Sequence, residues 1–312
     1  MQQLVQYVKS ELGGLYTPSE ITALCRLILD ELQGGPLTTR TAGKFNHLSR
    51  FNGRDATRIN EHGTGNPRDL ARVGYLGELS EQDGALVKEI VERLKTKEPI
   101  QYVLGKTEFH GLPLRVTPDV LIPRPETEEL VEWVLAESMP GRYSLLDIGT
   151  GSGCIAVALA KKLPGSKVDA CDYSERALAV AEANARENRV SVHYFKQDVF
   201  SPFARERTYD VVVSNPPYVM ESERVQMEEN VLDFEPHEAL FVPDHSPLVF
   251  YERIADLAIK LLNECGKLYF EINRAKGDEV QAMLLAKGYR DVELRDDISG
   301  NPRMVRAVRP PV

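Results

Sequence analysis

Cysteine is scarce in this chain and never paired. Cys25, Cys154, Cys171 and Cys265 stand apart with no CxxC spacing. That excludes a disulfide scaffold or a cysteine-rich zinc module, and reduced, buried thiols are expected. The six histidines (His47, His62, His110, His193, His237 and His245) show no metal-ligand spacing, so no metal site is expected. Long hydrophobic runs are missing too. The longest uncharged apolar run, Ile148 to Ala160, has 13 residues and three glycines, too short and broken for a bilayer. The N-terminus, MQQLVQYVKSEL, has no basic segment ahead of an apolar core, which argues against a signal peptide. These features predict a cytoplasmic protein with no membrane partner. Positive charge is also in deficit, with 38 Lys plus Arg against 47 Asp plus Glu and a net charge of −9. Holding a long nucleic-acid footprint needs clustered Lys/Arg, so no direct nucleic-acid substrate is expected.

What is present is ordinary globular material. Hydrophobic residues make up 42% and charged residues 27% of 312 positions, enough for two domains and against wholesale disorder. The first third reads as helical. Thr17-Pro18-Ser19-Glu20 is a capping box, followed by Ile21, Leu24, Cys25, Ile28, Leu29 and Leu32 at helical spacing. A second helix begins near Ser80, with Leu86, Ile90, Val91 and Leu94 on its apolar face. Between them, residues 34–77 are irregular. From Thr38 to Gly74 there are seven Lys/Arg against three acids, a local +4 that suits either a solvated loop or a partner contact. The segments QYVLG and FHGLPLRVTP then read as a β-hairpin, and PETEELVEWVLAE as a helix. From Tyr143 onward strands and helices alternate, the signature of a doubly wound, mostly parallel sheet.

Ligands on such sheets sit at the carboxyl ends of the strands, so the residues just after each strand carry the chemistry. After the first strand comes Asp147-Ile148-Gly149-Thr150-Gly151-Ser152-Gly153. Alternate glycines let this turn pass close to a ligand. The spacing is not G-x-G-x-x-G, and Asp147 suits a cation such as the ammonium and sulfonium of S-adenosylmethionine (AdoMet) better than a pyrophosphate. The second strand ends at Asp172, placed either to accept ribose hydroxyls or to cap the next helix. After the third, Asp198 can accept from an adenine amino group and Val199 can pack on its ring. The fourth strand delivers Asn215-Pro216-Pro217-Tyr218. Two prolines remove two backbone donors and leave carbonyls free to accept. The Asn215 oxygen and the Pro216 carbonyl can then hold both hydrogens of a planar NH2 group, with Tyr218 as an aromatic wall.

DIGTGSG with a downstream NPPY resembles class I AdoMet-dependent methyltransferases that act on planar NH2 groups. The likeness narrows with Glu98-Pro-Ile-Gln-Tyr-Val-Leu-Gly105, FHGLPLRV, Leu121-Ile-Pro-Arg-Pro-Glu-Thr-Glu128, Phe234-Glu-Pro236 and Ala239-Leu240. Together these are similar to the HemK/PrmC family, over about residues 80–312 plus the capped N-terminal helix. The resemblance implies a Rossmann-like, seven-stranded, mostly parallel sheet (123–312). It also implies a smaller N-terminal helical, substrate-recognition domain (1–98) and a β-hairpin linker (99–122). It implies AdoMet contacts from Gly149, Thr150, Gly151, Ser152, Gly153, Asp172, Asp198, Val199 and Asn215. The target would lie against Asn215, Pro216, Pro217 and Tyr218, with Asn215, Pro216 and Tyr218 catalytic. The implied reaction is methylation of the glutamine in the GGQ motif of class 1 peptide chain release factors, by a monomer. Residues 34–77 depart from the family's compact helical pattern, and valine at 199 replaces a commonly larger residue. Arg124 is expected to pair with an acid as an interdomain strut, and the acidic stretch Glu221–Glu238 to form a surface loop or lid. Two other enzymatic readings share parts of the pattern: glutamine methylation of a large-subunit ribosomal protein, and adenine-amino methylation of DNA. A non-enzymatic AdoMet-binding assembly factor would not need the NPPY motif.

Overall fold

The computed structural model describes residues 2–33, 79–138, 143–203 and 207–310. The +4 segment lies outside the described residues. Helix α1 (Gln2–Leu12) is followed by α2 (Pro18–Leu32), which opens on the expected capping box. Thr17 accepts from the Glu20 amide, and Glu20 accepts from the Thr17 amide in return. Ser80 caps α3 (Glu81–Lys95). Its buried face is Val87, Ile90, Val91 and Leu94; Leu86, expected there, is exposed. The 87-90-91-94 spacing turns Leu86 outward.

The segment expected as the hairpin's first strand is instead helical. Helix α4 (Ile100–Leu104) starts after Pro99 and stops at Gly105, which adopts φ +68°. The reason is a contact that the local pattern does not show. Arg93 donates to both carboxylate oxygens of Glu98 and to the carbonyls of Tyr102 and Val103, satisfying the end of α4. The hairpin itself is β1 (Lys106–Phe109) with β2 (Leu112–Arg115), turning through His110 and Gly111, both at positive φ.

Next come α5 (Pro125–Ala136), β3 (Ser144–Ile148), α6 (Cys154–Lys162), β4 (Lys167–Asp172), α7 (Glu175–Glu187), β5 (Val192–Lys196) and β6 (Tyr209–Ser214). Short β7 (Val219–Met220), a 3-10 turn (Glu221–Gln226), α8 (Glu229–Phe234) and β8 (Phe241–Val242) follow. The acidic stretch is thus short helices rather than a loop. The chain ends with α9 (Val249–Leu261), β9 (Leu262–Glu271), α10 (Gly277–Ala286), β10 (Arg290–Asp296) and β11 (Pro302–Val308). Two compact units result: one formed by the described residues up to Gly105 together with Met227–Phe234, and one of Lys106–Gln226 with Glu235–Val312.

The second unit is built on a seven-stranded sheet of order β10-β11-β9-β6-β3-β4-β5. β9, β6, β3, β4 and β5 are parallel; β11 alone runs the other way, antiparallel to both β9 and the edge strand β10. Alternate residues face opposite sides. Leu145, Val211 and Tyr269 join one core with the hairpin, α5 and α6. Leu146, Val212, Leu268 and Phe270 join another with α9 and α10. From β3 the chain winds to β4 and β5, then returns to β6 on the other side of β3. That reversal opens a crevice at the carboxyl ends of the strands. Cysteines 25 and 171 are buried and Cys154 is half-buried. Cys265, expected to be buried, is exposed within β9, where its pairing with β6 shifts register between Leu262 and Lys267 and Cys265 adopts φ +59°.

Candidate active site

The glycine turn is pinned from below and open above. Gly149, Gly151 and Gly153 all take positive φ (73°, 53° and 80°). The amides of Gly149 and Thr150 donate to the Cys171 carbonyl at 2.9 and 3.0 Å, fastening the turn to β4. Buried Asp147 accepts from the Thr150 hydroxyl (2.6 Å) and the Ala156 amide (3.2 Å) through Oδ2. Its Oδ1 is a buried acceptor with no partner among the described residues. Burial pushes this carboxyl up to about 7. A Cβ on Gly149 or Gly151 would meet nothing within 4 Å; on Gly153 it would lie 2.9 Å from Ala181 Cβ. The first two glycines therefore face open space, and the third is where the turn packs on α7. Cys154 has no nucleophilic setting, since burial pushes its thiol up to about 12.

Asp172 ends β4 beside this turn. Its two oxygens accept from the amides of Gly151 and Ser174, each at 2.9 Å. The cap of α7 is Ser174, which accepts from Ala177. A carboxylate has further lone pairs after two such bonds, so Asp172 can still accept from a ligand. Burial raises its pKa. Asp198 is exposed and caps its own turn through Phe200 and Ser201. Val199 packs against the second core, and its carbonyl accepts from Arg253 at 2.6 Å.

Asn215 follows β6 directly. Its amide nitrogen donates to the Thr127 hydroxyl at 3.2 Å, and that hydroxyl donates to Glu271 at 2.6 Å. Glu271 also accepts from the Tyr218 hydroxyl at 3.0 Å. Pro216 is buried and Pro217 half-buried. Beyond them, the amides of Tyr218 and Val219 donate to the Leu240 carbonyl, and Asn273 donates to the Tyr218 carbonyl at 3.1 Å. Both sides of the NPPY turn are thus held. Arg124 pairs with buried Glu235 at 2.5 Å, and Glu235 also accepts from the Ile122 amide. Both residues lie in the second unit, so the expected interdomain strut is internal to it.

The family model "Methyltransferase small domain" matches residues 130–233. A "Release factor glutamine methyltransferase" of Bacteroides thetaiotaomicron is 44% identical over 310 residues, covering 99% of this chain and all of that protein. The chain belongs to the release factor glutamine methyltransferase family. A member from Flavobacterium psychrophilum is 45% identical over 221 residues, 70% of this chain and 78% of that one. A solved methyltransferase from Pyrococcus furiosus is similar at 18% identity and a TM-score of 0.48, covering 75% of this chain and all of that one.

The family's methyl donor is AdoMet, and the residues present fit it. The glycine turn offers open space at Gly149 and Gly151, Asp172 keeps acceptor capacity for ribose hydroxyls, and Asp147 holds an unpartnered buried acceptor suited to a cation. Motif reading missed three residues here. Thr127 lies inside LIPRPETE, but its partner is remote in sequence. Glu271 is an acid directly after the apolar run Leu268-Tyr269-Phe270, at the end of β9. Asn184, fully buried on α7, donates to the Ser152 and Arg115 carbonyls and accepts from the Arg115 amide, tying glycine turn to hairpin.

Proposed function

We propose that this chain transfers a methyl group from AdoMet to the side-chain amide nitrogen of the GGQ glutamine of class 1 peptide chain release factors. Family membership supports the reaction and the substrate. The observation that carries the mechanism is the anchoring of the Asn215 amide nitrogen on Thr127. It leaves Asn215 Oδ1 as an acceptor at the carboxyl end of β6, beside the glycine turn of the adjacent β3.

AdoMet, when bound, supplies an electrophilic methyl group. The chain's own residues must hold a poor nucleophile, since an amide nitrogen's lone pair is delocalised into its carbonyl. Asn215 Oδ1 and the Pro216 carbonyl accept the two N–H bonds, which orients the nitrogen and raises its electron density. Tyr218, its hydroxyl fixed on Glu271, walls the amide plane. The amide becomes acidic only as the new N–C bond forms at the expense of the donor's S–C bond, whose sulfur leaves as a neutral thioether, so the amide's proton passes to water without a dedicated base. Positioning of this kind supplies up to about 7–11 kcal/mol in favourable cases.

Asp172 holds the donor's ribose, and Asp198 with Val199 holds its adenine. Residues 1–98 recognise the release factor. The net charge of −9 speaks against a DNA substrate. No helix among the described residues is long and apolar enough to cross a membrane. Acting on release factors places the enzyme's work in the cytoplasm. The test is steady-state methyl transfer to a purified release factor by Asn215→Ala. Its kcat should fall by about a hundredfold or more, with AdoMet affinity changed by less than about fivefold. Asn215→Asp keeps acceptor oxygens and should retain partial activity. Turnover near wild type in Asn215→Ala would refute the mechanism.

A further inference from the structure

We propose that Thr127 and Glu271 are positioning residues that decide which end of the Asn215 amide meets the target glutamine. The inference rests on the methyl-transfer reading above and names the device that makes Asn215 an acceptor.

The polarity of the chain of hydrogen bonds is set at Glu271, which in its ionised form can only accept. This carboxylate is buried at the carboxyl end of β9 and accepts from two hydroxyls, Thr127 at 2.6 Å and Tyr218 at 3.0 Å. A hydroxyl has one proton. Once Thr127 gives its proton to Glu271, its oxygen can only accept, and what faces it must be a donor. The Asn215 NH2 therefore turns to Thr127, and Oδ1 points away from it. Were Thr127 to donate to Asn215 instead, the amide would flip. It would then present N–H groups to the N–H groups of the substrate, donor against donor.

The fold supplies the juxtaposition. β6 and β9 are parallel neighbours with Ser214 opposite Phe270, so Asn215 follows the last residue of β6 at the level of Glu271, the last residue of β9. Thr127 reaches them from the first turn of α5. The chain entering that turn is held by Glu235, which takes the Arg124 guanidinium and the Ile122 amide. This gives the LIPRPETE and FEP segments a shared purpose: they place one hydroxyl over the NPPY turn. Asn273, two residues beyond Glu271, holds the Tyr218 carbonyl from the other side.

The experiment uses the full chain, a purified release factor and AdoMet, with three variants: Thr127→Val, Thr127→Ser and Glu271→Gln. Initial rates give kcat and KM for the release factor, calorimetry gives AdoMet affinity, and thermal melting reports the fold. Thr127→Val should lower kcat by about tenfold, with AdoMet affinity and release-factor KM within about twofold of wild type. Thr127→Ser keeps the hydroxyl and should recover most of the rate. Glu271→Gln brings a donor to Thr127, lets the chain reverse, and should also lower kcat by about tenfold. Wild-type kcat in Thr127→Val, or equal loss in Thr127→Ser and Thr127→Val, would overturn the inference. If Thr127→Val does not fold, unchanged kcat in Glu271→Gln overturns it. Failure of the wild-type enzyme to methylate the release factor would instead defeat the functional reading itself.

Discussion

Gly151 and Gly153 are two residues apart in one turn, yet replacing each with alanine should break different things. Gly153 adopts φ +80°, where an L side chain costs about 1–2 kcal/mol. Its new Cβ would also lie 2.9 Å from Ala181 Cβ, 3.1 Å from Ala181 Cα and 3.1 Å from the Tyr194 hydroxyl. Two of those atoms belong to the α7 residue packed beneath, so the helix or the turn must shift, at about 1–3 kcal/mol. Gly153→Ala should therefore lose about 2–5 kcal/mol of stability. For a unit of this size that is a fall of roughly 5–15 °C in melting temperature. Gly151→Ala carries only the backbone penalty, about 1–2 kcal/mol, because its Cβ meets nothing within 4 Å. Its melting temperature should fall by only a few degrees, while AdoMet affinity falls by about tenfold or more as the methyl enters the space kept for the donor. Differential scanning fluorimetry without ligand and calorimetry with AdoMet separate the two effects. A Gly153→Ala protein as stable as wild type would refute the packing argument. A Gly151→Ala protein with unchanged AdoMet affinity would refute the cradle.

Three further outcomes follow from the same geometry. Asp172→Ala should weaken AdoMet binding by about 1–3 kcal/mol through loss of charge-assisted hydrogen bonds, and unchanged calorimetric affinity would remove the ribose assignment. Asp147, raised to about 7 by burial, stabilises the fold fully only below its unfolded value of about 3.9 and loses that contribution as pH rises through 7. Relative to Asp147→Asn, the ligand-free wild type should thus lose about 2–3 kcal/mol between pH 5 and 8 in denaturant titrations, and parallel curves would contradict it. Deleting Thr38–Gly74 should raise KM for the release factor while AdoMet affinity holds; identical kinetics would show that this segment does not read the substrate.

The residues that announce the site in sequence are those whose chemistry is set by their immediate neighbours. Two prolines after Asn215 free carbonyls whatever the tertiary context, and alternate glycines after a strand permit the positive φ angles at Gly149, Gly151 and Gly153. The alternation of strands and helices from Tyr143 likewise follows from local periodicity. What escaped depends on distance along the chain. Residues 101–105 read locally like a strand, but they end a helix whose Tyr102 and Val103 carbonyls accept from Arg93, a partner outside the segment. Thr127 and Glu271 are 144 residues apart, and Asn184 serves groups 32 and 69 residues away. Each is an unremarkable polar residue until the sheet order brings its partner alongside. Cys265 is exposed for a different reason: it sits among Asn263, Glu264 and Lys267, in the part of β9 where the pairing with β6 slips register.

The central claim is that a single glutamine amide of a release factor receives the methyl group. It is tested most directly by incubating the enzyme with AdoMet and a purified class 1 release factor, then locating the modification by peptide mass spectrometry. Parallel reactions should contain a release factor with the GGQ glutamine replaced by alanine, and duplex DNA. The account predicts one methyl group, on the GGQ glutamine, with no transfer to the alanine variant or to DNA. Methylation of the alanine variant at another residue, or transfer to DNA adenine alone, would contradict it.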